Sequence, residues 1–286
     1  MRERNQVRNH RNMRETIGYP DVFLGFVGRD EDLRGVSRYS LYDVMLYRTN
    51  LYTHSHRVAA LVRAMNLLAA SVFGSDYDPR KAELIAYVHD DAELLFGDVQ
   101  AGNKSKMTVD QLQQVKDAEE RAIQEIAKRF PVTIGGYSYK QLLIEAANYS
   151  SREAQVACYA DKYDALGEAL HEVFAGNYHF TTNVVNEYGR IPTPPEYYAG
   201  YFKLYTDKFP EMRPLLDESF AMFEPVPNRD YSLIVREGRP HTANNLVKLT
   251  GDLHYDTWRH IVWEATNDEV RRGLYVQKEF LEDRYD

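Results

Sequence analysis

The dipeptide His89-Asp90 interrupts a run, KAELIAYVHDDAELLF, whose apolar residues otherwise return every three or four positions. Ile85, Val88, His89 and Ala92 fall on one helical stripe, so His89 points the way the apolar face points, toward a core. Glu93 lies one turn on, on the same face as His89. A lone core histidine is ordinarily a satisfied polar group. An imidazole and two carboxylates on the interior side of one helix are costly unless something compensates them, and a divalent cation is the simplest compensation.

Two further helices carry the same anomaly. In TNLYTHSHRVAALVRAMNLLAASVF, the residues Val58, Leu61, Met65 and Leu68 make one apolar stripe. His54 shares that stripe. His56 diverges from His54 by about 200° and shares a face with Ala60 and Arg63, which assigns it to the surface or rim. In SREAQVACYADKYDALGEALHEVFAG, Asp161 lies among Ala154, Ala157, Cys158 and Ala165. On its own that aspartate reads as a helix-packing ion pair. Together, His54, His89, Asp90 and Asp161 make a first shell suited to one divalent metal ion, with Mn²⁺, Co²⁺, Fe²⁺ and Mg²⁺ all compatible with mixed N/O ligation. Four protein ligands in an octahedral site leave two positions for water and a phosphate oxygen.

Around these three helices the chain is punctuated simply. Residues 76–79 form a break, with Pro79 suited to a helix start, and Gly97 ends the second helix. GDVQAGNKSK reads as a loop, and VDQLQQVKDAEERAIQEIAKRF as a helix closed by Pro131. IGGYSY and YSLIVREG are the only pieces that could supply short strands. The expected fold is all-α.

The rest of the composition narrows the class. No apolar run approaches the ~18 residues of a membrane span, and the start, MRERNQVRNHRNMRE, lacks the apolar core of a secretory signal. One cysteine, Cys158, excludes an intrachain disulfide and fits a reducing cytoplasm. A net charge of −8 argues against a nucleic-acid polymer as partner. Residues 1–14, with five arginines, read as a flexible basic arm, solvated or touching phosphates.

The order H…HD…D on successive helices resembles the HD-domain phosphohydrolases. From about Ser37 to Gly176 the chain is similar to the bacterial 5'-deoxynucleotidases of that superfamily, through RY at 38–39, HSHRVA at 54–59, HDDAELLFGD at 89–98, Lys104 and YADKYDAL at 159–166. The resemblance implies an HD-domain helical bundle over residues 15–190, with a mainly helical C-terminal extension, 191–286, packed on it. It implies that Glu93 works beside the metal-bound water and that Arg38 binds substrate with Tyr39 as its aromatic neighbour. It implies that Asp98 takes part at the catalytic centre and reads the deoxyribose, and that Lys104 lies near the substrate.

Thr53 stands where that family usually has Glu, Tyr39 replaces Trp, and Gln100-Ala101-Gly102 replaces a Thr-Pro segment. No histidine lies between Asp90 and Asp161, whereas the binuclear HD enzymes draw extra histidines from that interval; one metal and a phosphomonoester substrate are therefore expected. The implied reaction is removal of the 5'-phosphate from deoxyribonucleoside monophosphates. A nucleoside-triphosphate hydrolase and a nucleotide-binding sensor without turnover are the alternatives. In the extension, Tyr178, Tyr188, Tyr197, Tyr198, Tyr201 and Tyr205 read as aromatic packing against the core, with a homodimer interface or a cover over the nucleotide pocket as alternatives. His171, His179, His241, His254 and His260 read as structural.

Overall fold

Three helices that pack on one another make the centre of the molecule, and each begins where a side chain caps it. The computed structural model describes residues 21–99, 101–219, 230–236, 238–242, 246 and 250–275. The basic arm lies outside the described residues. After α1 (Arg29–Gly35), helix α2 (Leu51–Phe73) starts at Asn50, whose side chain accepts the Thr53 N–H. Helix α3 (Pro79–Val88) starts at Asp78, which accepts from Arg80 and Lys81, with Pro79 in the first turn where its missing N–H costs nothing.

Beyond α3 come two single turns, α4 (Glu93–Phe96) and α5 (Ala101–Lys104), and then α6 (Val109–Arg129), opened by a Thr108–Gln111 capping box. A hairpin of β1 (Thr133–Ile134) and β2 (Tyr137–Ser138) turns through Gly135 and Gly136, both at positive φ. Helix α7 (Tyr139–Asn148) follows, and α8 (Arg152–Phe174) begins at Ser151, which accepts the Ala154 N–H. Helices α2, α3 and α8 all pack against one another. The fold is all-α, its sheets limited among the described residues to two short hairpins.

The C-terminal third wraps this centre. The second hairpin, β3 (Val184–Asn186) with β4 (Gly189–Ile191), leads into α9 (Pro194–Lys203), which packs on α8. Then come α10 (Tyr205–Lys208), α11 (Arg213–Ser219) and α12 (Tyr231–Val235). Helix α13 (Leu253–Ala265) lies on both α2 and α8, with α14 (Asp268–Arg272) after it.

Four local expectations need correction. The second helix does not run unbroken to Gly97: it stops at Val88, and residues 89–92 turn before α4 begins. The 97–106 stretch is not all loop, since α5 forms there. YSLIVREG begins as helix α12 and not as a strand. By length and composition, Leu51–Asp76 also qualifies as a membrane-spanning helix, although no such run was expected. Its first half, Leu51 through Val62, is buried without interruption among the protein's own helices, as a core helix is.

Candidate metal centre

Helices α2, the end of α3 and α8 bring His54, His89 and Asp161 together, with Asp90 adjoining them. His54 Nε2 lies 3.3 Å from His89 Nε2, 3.2 Å from Asp161 Oδ1 and 3.5 Å from Asp90 Oδ2. His89 Nε2 is 3.3 Å from Asp90 Oδ1. Ligand atoms held ~2.1 Å from a shared ion sit roughly 3.0–3.4 Å apart; His54, His89 and Asp161, whose donor atoms all lie within 4.8 Å of one another, form a group that could hold one cation, with Asp90 beside them.

The tautomers agree with that fit. His54 Nδ1 donates to Asp164 Oδ2 at 2.7 Å, and His89 Nδ1 donates to the Ala86 carbonyl at 2.8 Å. Both Nε2 lone pairs are thereby turned inward, toward each other and toward two carboxylates. Such an arrangement holds together only around positive charge, either a proton or a metal ion. Burial and the Arg38 charge lower the basicity of His54, but Asp161 and Asp164 outweigh them and raise its pKa to about 9. Burial acts upward on Asp161, yet Lys162 and the two histidines hold its carboxyl well below the usual range. A metal would replace the proton that His54 otherwise carries.

Behind this floor stand groups that the sequence reading missed. Asp91, fully buried, accepts from Arg29 Nε at 2.8 Å, Arg29 Nη2 at 2.7 Å and Tyr139 Oη at 2.7 Å. That fork anchors the turn that aims His89 and Asp90. Asp164 is the corresponding group behind His54; its place one turn past Asp161, on the same helical face, was the available signal. His56 is a correction. It is outside the cluster, as expected, but it is not at the surface or rim: it is 6% exposed, with Nδ1 on the Tyr52 carbonyl and its ring against Tyr52 and Tyr87. Burial lowers its pKa to about 4.

A cleft of about 240 Å³ opens over the floor. Of the side chains singled out in the sequence, Arg38, Tyr39, Asp90, Glu93, Asp98, Lys104 and Asp161 line it. Arg38 is 3.6 Å from Asp90 and 3.5 Å from Glu168, which also accepts from Thr49. Tyr39 adopts φ 54°, a strained value for a non-glycine residue, and its hydroxyl donates to the Ala165 carbonyl at 2.5 Å. Its ring packs with Tyr42 and Phe180, so it is a wall more than a free stacking plate.

Burial, with Asp90 and Asp98 beside it, raises the Glu93 carboxyl well above the usual range. Burial raises Asp98 as well, against the pull of Arg38. Buried Glu93 Oε2 has no hydrogen-bond partner among the described residues.

The opposite wall comes from the C-terminal third, with Tyr197, Tyr198 and Tyr201 of α9 and Lys208 of α10, while Lys162 of α8 also lines the cleft. These tyrosines also pack on the core, as the sequence suggests, Tyr198 within it and Tyr197 and Tyr201 against it. Gly102, part of the departure from the family's Thr-Pro segment, has a steric reason: a Cβ there would meet Ile191 of β4 at 2.9 Å.

Residues 25–204 match the family described as YfbR-like, 5'-deoxynucleotidase YfbR-like. A 5'-deoxynucleotidase of Klebsiella pneumoniae is 29% identical over 134 residues, which is 46% of this chain and 64% of that protein. One of Vibrio vulnificus is 28% identical over 131 residues, 46% of this chain and 66% of that protein. The chain thus spans just under two thirds of the length of these curated relatives. Among solved structures, a conserved hypothetical protein from Pyrococcus furiosus superposes with a TM-score of 0.42 at 20% identity, over 56% of this chain and 88% of that one.

Proposed function

The chain belongs to the YfbR-like 5'-deoxynucleotidase family, and from that premise we propose that it is a metal-dependent phosphohydrolase releasing the 5'-phosphate of deoxyribonucleoside monophosphates. The observation that carries the reading is the floor itself: two inward Nε2 atoms 3.3 Å apart, flanked by Asp90 and Asp161 and backed by fixed Nδ1 donors. His54, His89, Asp90 and Asp161 would hold one divalent cation. When bound, the cation supplies Lewis acidity at the phosphate.

The chain's own residues do the remainder. Arg38 offers a guanidinium fork to the phosphate, and Lys104 adds a second positive charge. Glu93 accepts or relays the proton of the attacking water at Oε2, the oxygen without a partner. Burial and like charges raise the pKa of this carboxyl, so it holds a proton more readily than an exposed one. Asp98, which lines the cleft with Arg38, would accept from a sugar hydroxyl. An anion enters this acidic protein because the local charge at contact distance outweighs the net charge.

A second reading, hydrolysis of nucleoside triphosphates, draws support from Lys208, a further cation lining the same cleft, whereas Lys162 is held by Asp161 at 2.6 Å. A panel of ribo- and deoxyribonucleoside mono-, di- and triphosphates, offered to Mn²⁺- or Co²⁺-loaded protein with product identification, decides between them. The proposal expects inorganic phosphate from deoxyribonucleoside monophosphates, with the ribose forms slower. Triphosphate release from deoxyribonucleoside triphosphates would favour the second reading, and binding without any product would leave a sensor.

A further inference from the structure

Trp258 sits on α13, more than fifty residues beyond the end of the family match, yet it reaches the metal floor through one intervening side chain. Its indole is fully buried. It occupies a notch in α8 that only glycine leaves open, since a Cβ on Gly167 would come within 2.3 Å of the indole ring. From that notch Nε1 donates to Asp164 Oδ1 at 2.7 Å, while Asp164 Oδ2 accepts from His54 Nδ1 at 2.7 Å. The Arg57 guanidinium lies over the indole, 5.4 Å from the ring centroid.

Both oxygens of Asp164 are therefore used, one by each ring, and the carboxylate is fully buried. Rotation about its Cβ–Cγ bond would break both contacts at once. An indole N–H can only donate, so Trp258 also dictates that Oδ1 stays an acceptor. The geometry thus forms a line, indole to carboxylate to imidazole, that ends at the Nε2 facing His89, Asp90 and Asp161. Partners one step behind a ligating histidine orient the ring and raise its strength as a ligand.

We propose that Trp258 is a positioning residue of the metal centre, through which the C-terminal third of the chain sets the orientation of His54 by fixing Asp164. The proposal rests on the reading of His54 as a ligand. Its test uses the full chain and Mn²⁺ affinity, measured by titration against a competing chelator, with thermal melting of the metal-free protein alongside. Trp258→Phe keeps a ring in the notch and removes the donor; it should weaken Mn²⁺ binding by about 10- to 100-fold. Val262→Ala, a buried truncation on the same helix, should lower the melting temperature yet change Mn²⁺ affinity less than about twofold. In a double-mutant cycle, Trp258→Phe and Asp164→Asn should be strongly non-additive, because they break one line. Wild-type affinity in Trp258→Phe, equal weakening in Val262→Ala, or simple additivity would each overturn the proposal. Wild-type affinity in His54→Ala would instead overturn the reading of the site on which it rests.

Discussion

Asp90 and Asp91 are neighbours in sequence and face opposite regions of the molecule. On the cleft side, Asp90 shares a floor with Asp161 and two imidazoles, with Arg38 3.6 Å from Asp90 and Lys162 2.6 Å from Asp161. On the other side, Asp91 is closed off by the Arg29 fork and the Tyr139 hydroxyl, every strong contact made within the protein. The backing region is closed by a bidentate ion pair inside the protein, whereas the floor sets two imidazoles and two carboxylates against the cations Lys162 and Arg38 at the cleft. Substitutions on the two sides should accordingly fail in different ways.

The largest effect is expected on turnover. Glu93→Ala should retain metal and nucleotide while losing roughly 10²- to 10⁴-fold in kcat, as measured by phosphate release from saturating substrate. Near-native turnover would move Glu93 out of the chemistry, and loss of metal would make it a ligand. Next comes the backing region. Asp91→Ala removes the bidentate carboxylate of the buried Arg29, which keeps Asp30 at 3.4 Å and the Tyr87 carbonyl, and should cost about 3–5 kcal/mol in denaturant unfolding. Asp90→Ala should change the stability of the metal-free protein by less than about 1 kcal/mol and abolish metal binding. Similar losses of stability in both would erase the distinction between front and back.

The pH dependence should carry opposite signs on the two sides. His54 has its pKa raised to about 9 in the folded, metal-free protein, so its contribution is complete below its ordinary 6.5 and is lost as pH rises through 9. His56 and His241 have theirs lowered to about 4 by burial, so theirs is complete above 6.5 and is lost as pH falls toward 4. Each is worth on the order of 3 kcal/mol. Urea titrations of metal-free protein from pH 4 to 9, with His54→Gln and His56→Gln beside the parent, separate them; the same slope in both variants would contradict the assignment. The smallest effect is at the buried Arg38 in the cleft wall: Arg38→Ala should lower kcat/KM by about 1.5–3 kcal/mol without releasing metal. Unchanged kinetics would remove the phosphate contact.

The front was easier to read in the sequence than the back. His54, His89 and Asp161 announce themselves because each breaks an apolar helical stripe, and Asp90 because it follows His89 directly; periodicity reports on residues that share a helix. Helices α2, α6 and α8 were legible for the same reason. Helix α7 was passed over, although Ser138 caps it and Leu142, Leu143 and Ala146 repeat at helical steps. The break after Val88 was hidden because HDDAELLF keeps helical composition, while tertiary contacts from Arg29 and Tyr139 hold the turn. His56 misled because a stripe predicts one buried face, and α2 is enclosed on all sides along its first half. Trp258 and Asp164 are 94 residues apart, and no local pattern joins them.

The central claim is that one cation occupies the point where His54, His89, Asp90 and Asp161 meet. Anomalous diffraction from a crystal of the Mn²⁺-loaded protein tests it directly. The account predicts a single strong peak within about 2.0–2.3 Å of His54 Nε2, His89 Nε2 and an oxygen of each aspartate, with His56 remote from it. A peak ligated elsewhere, or none at that point in fully loaded protein, would contradict it.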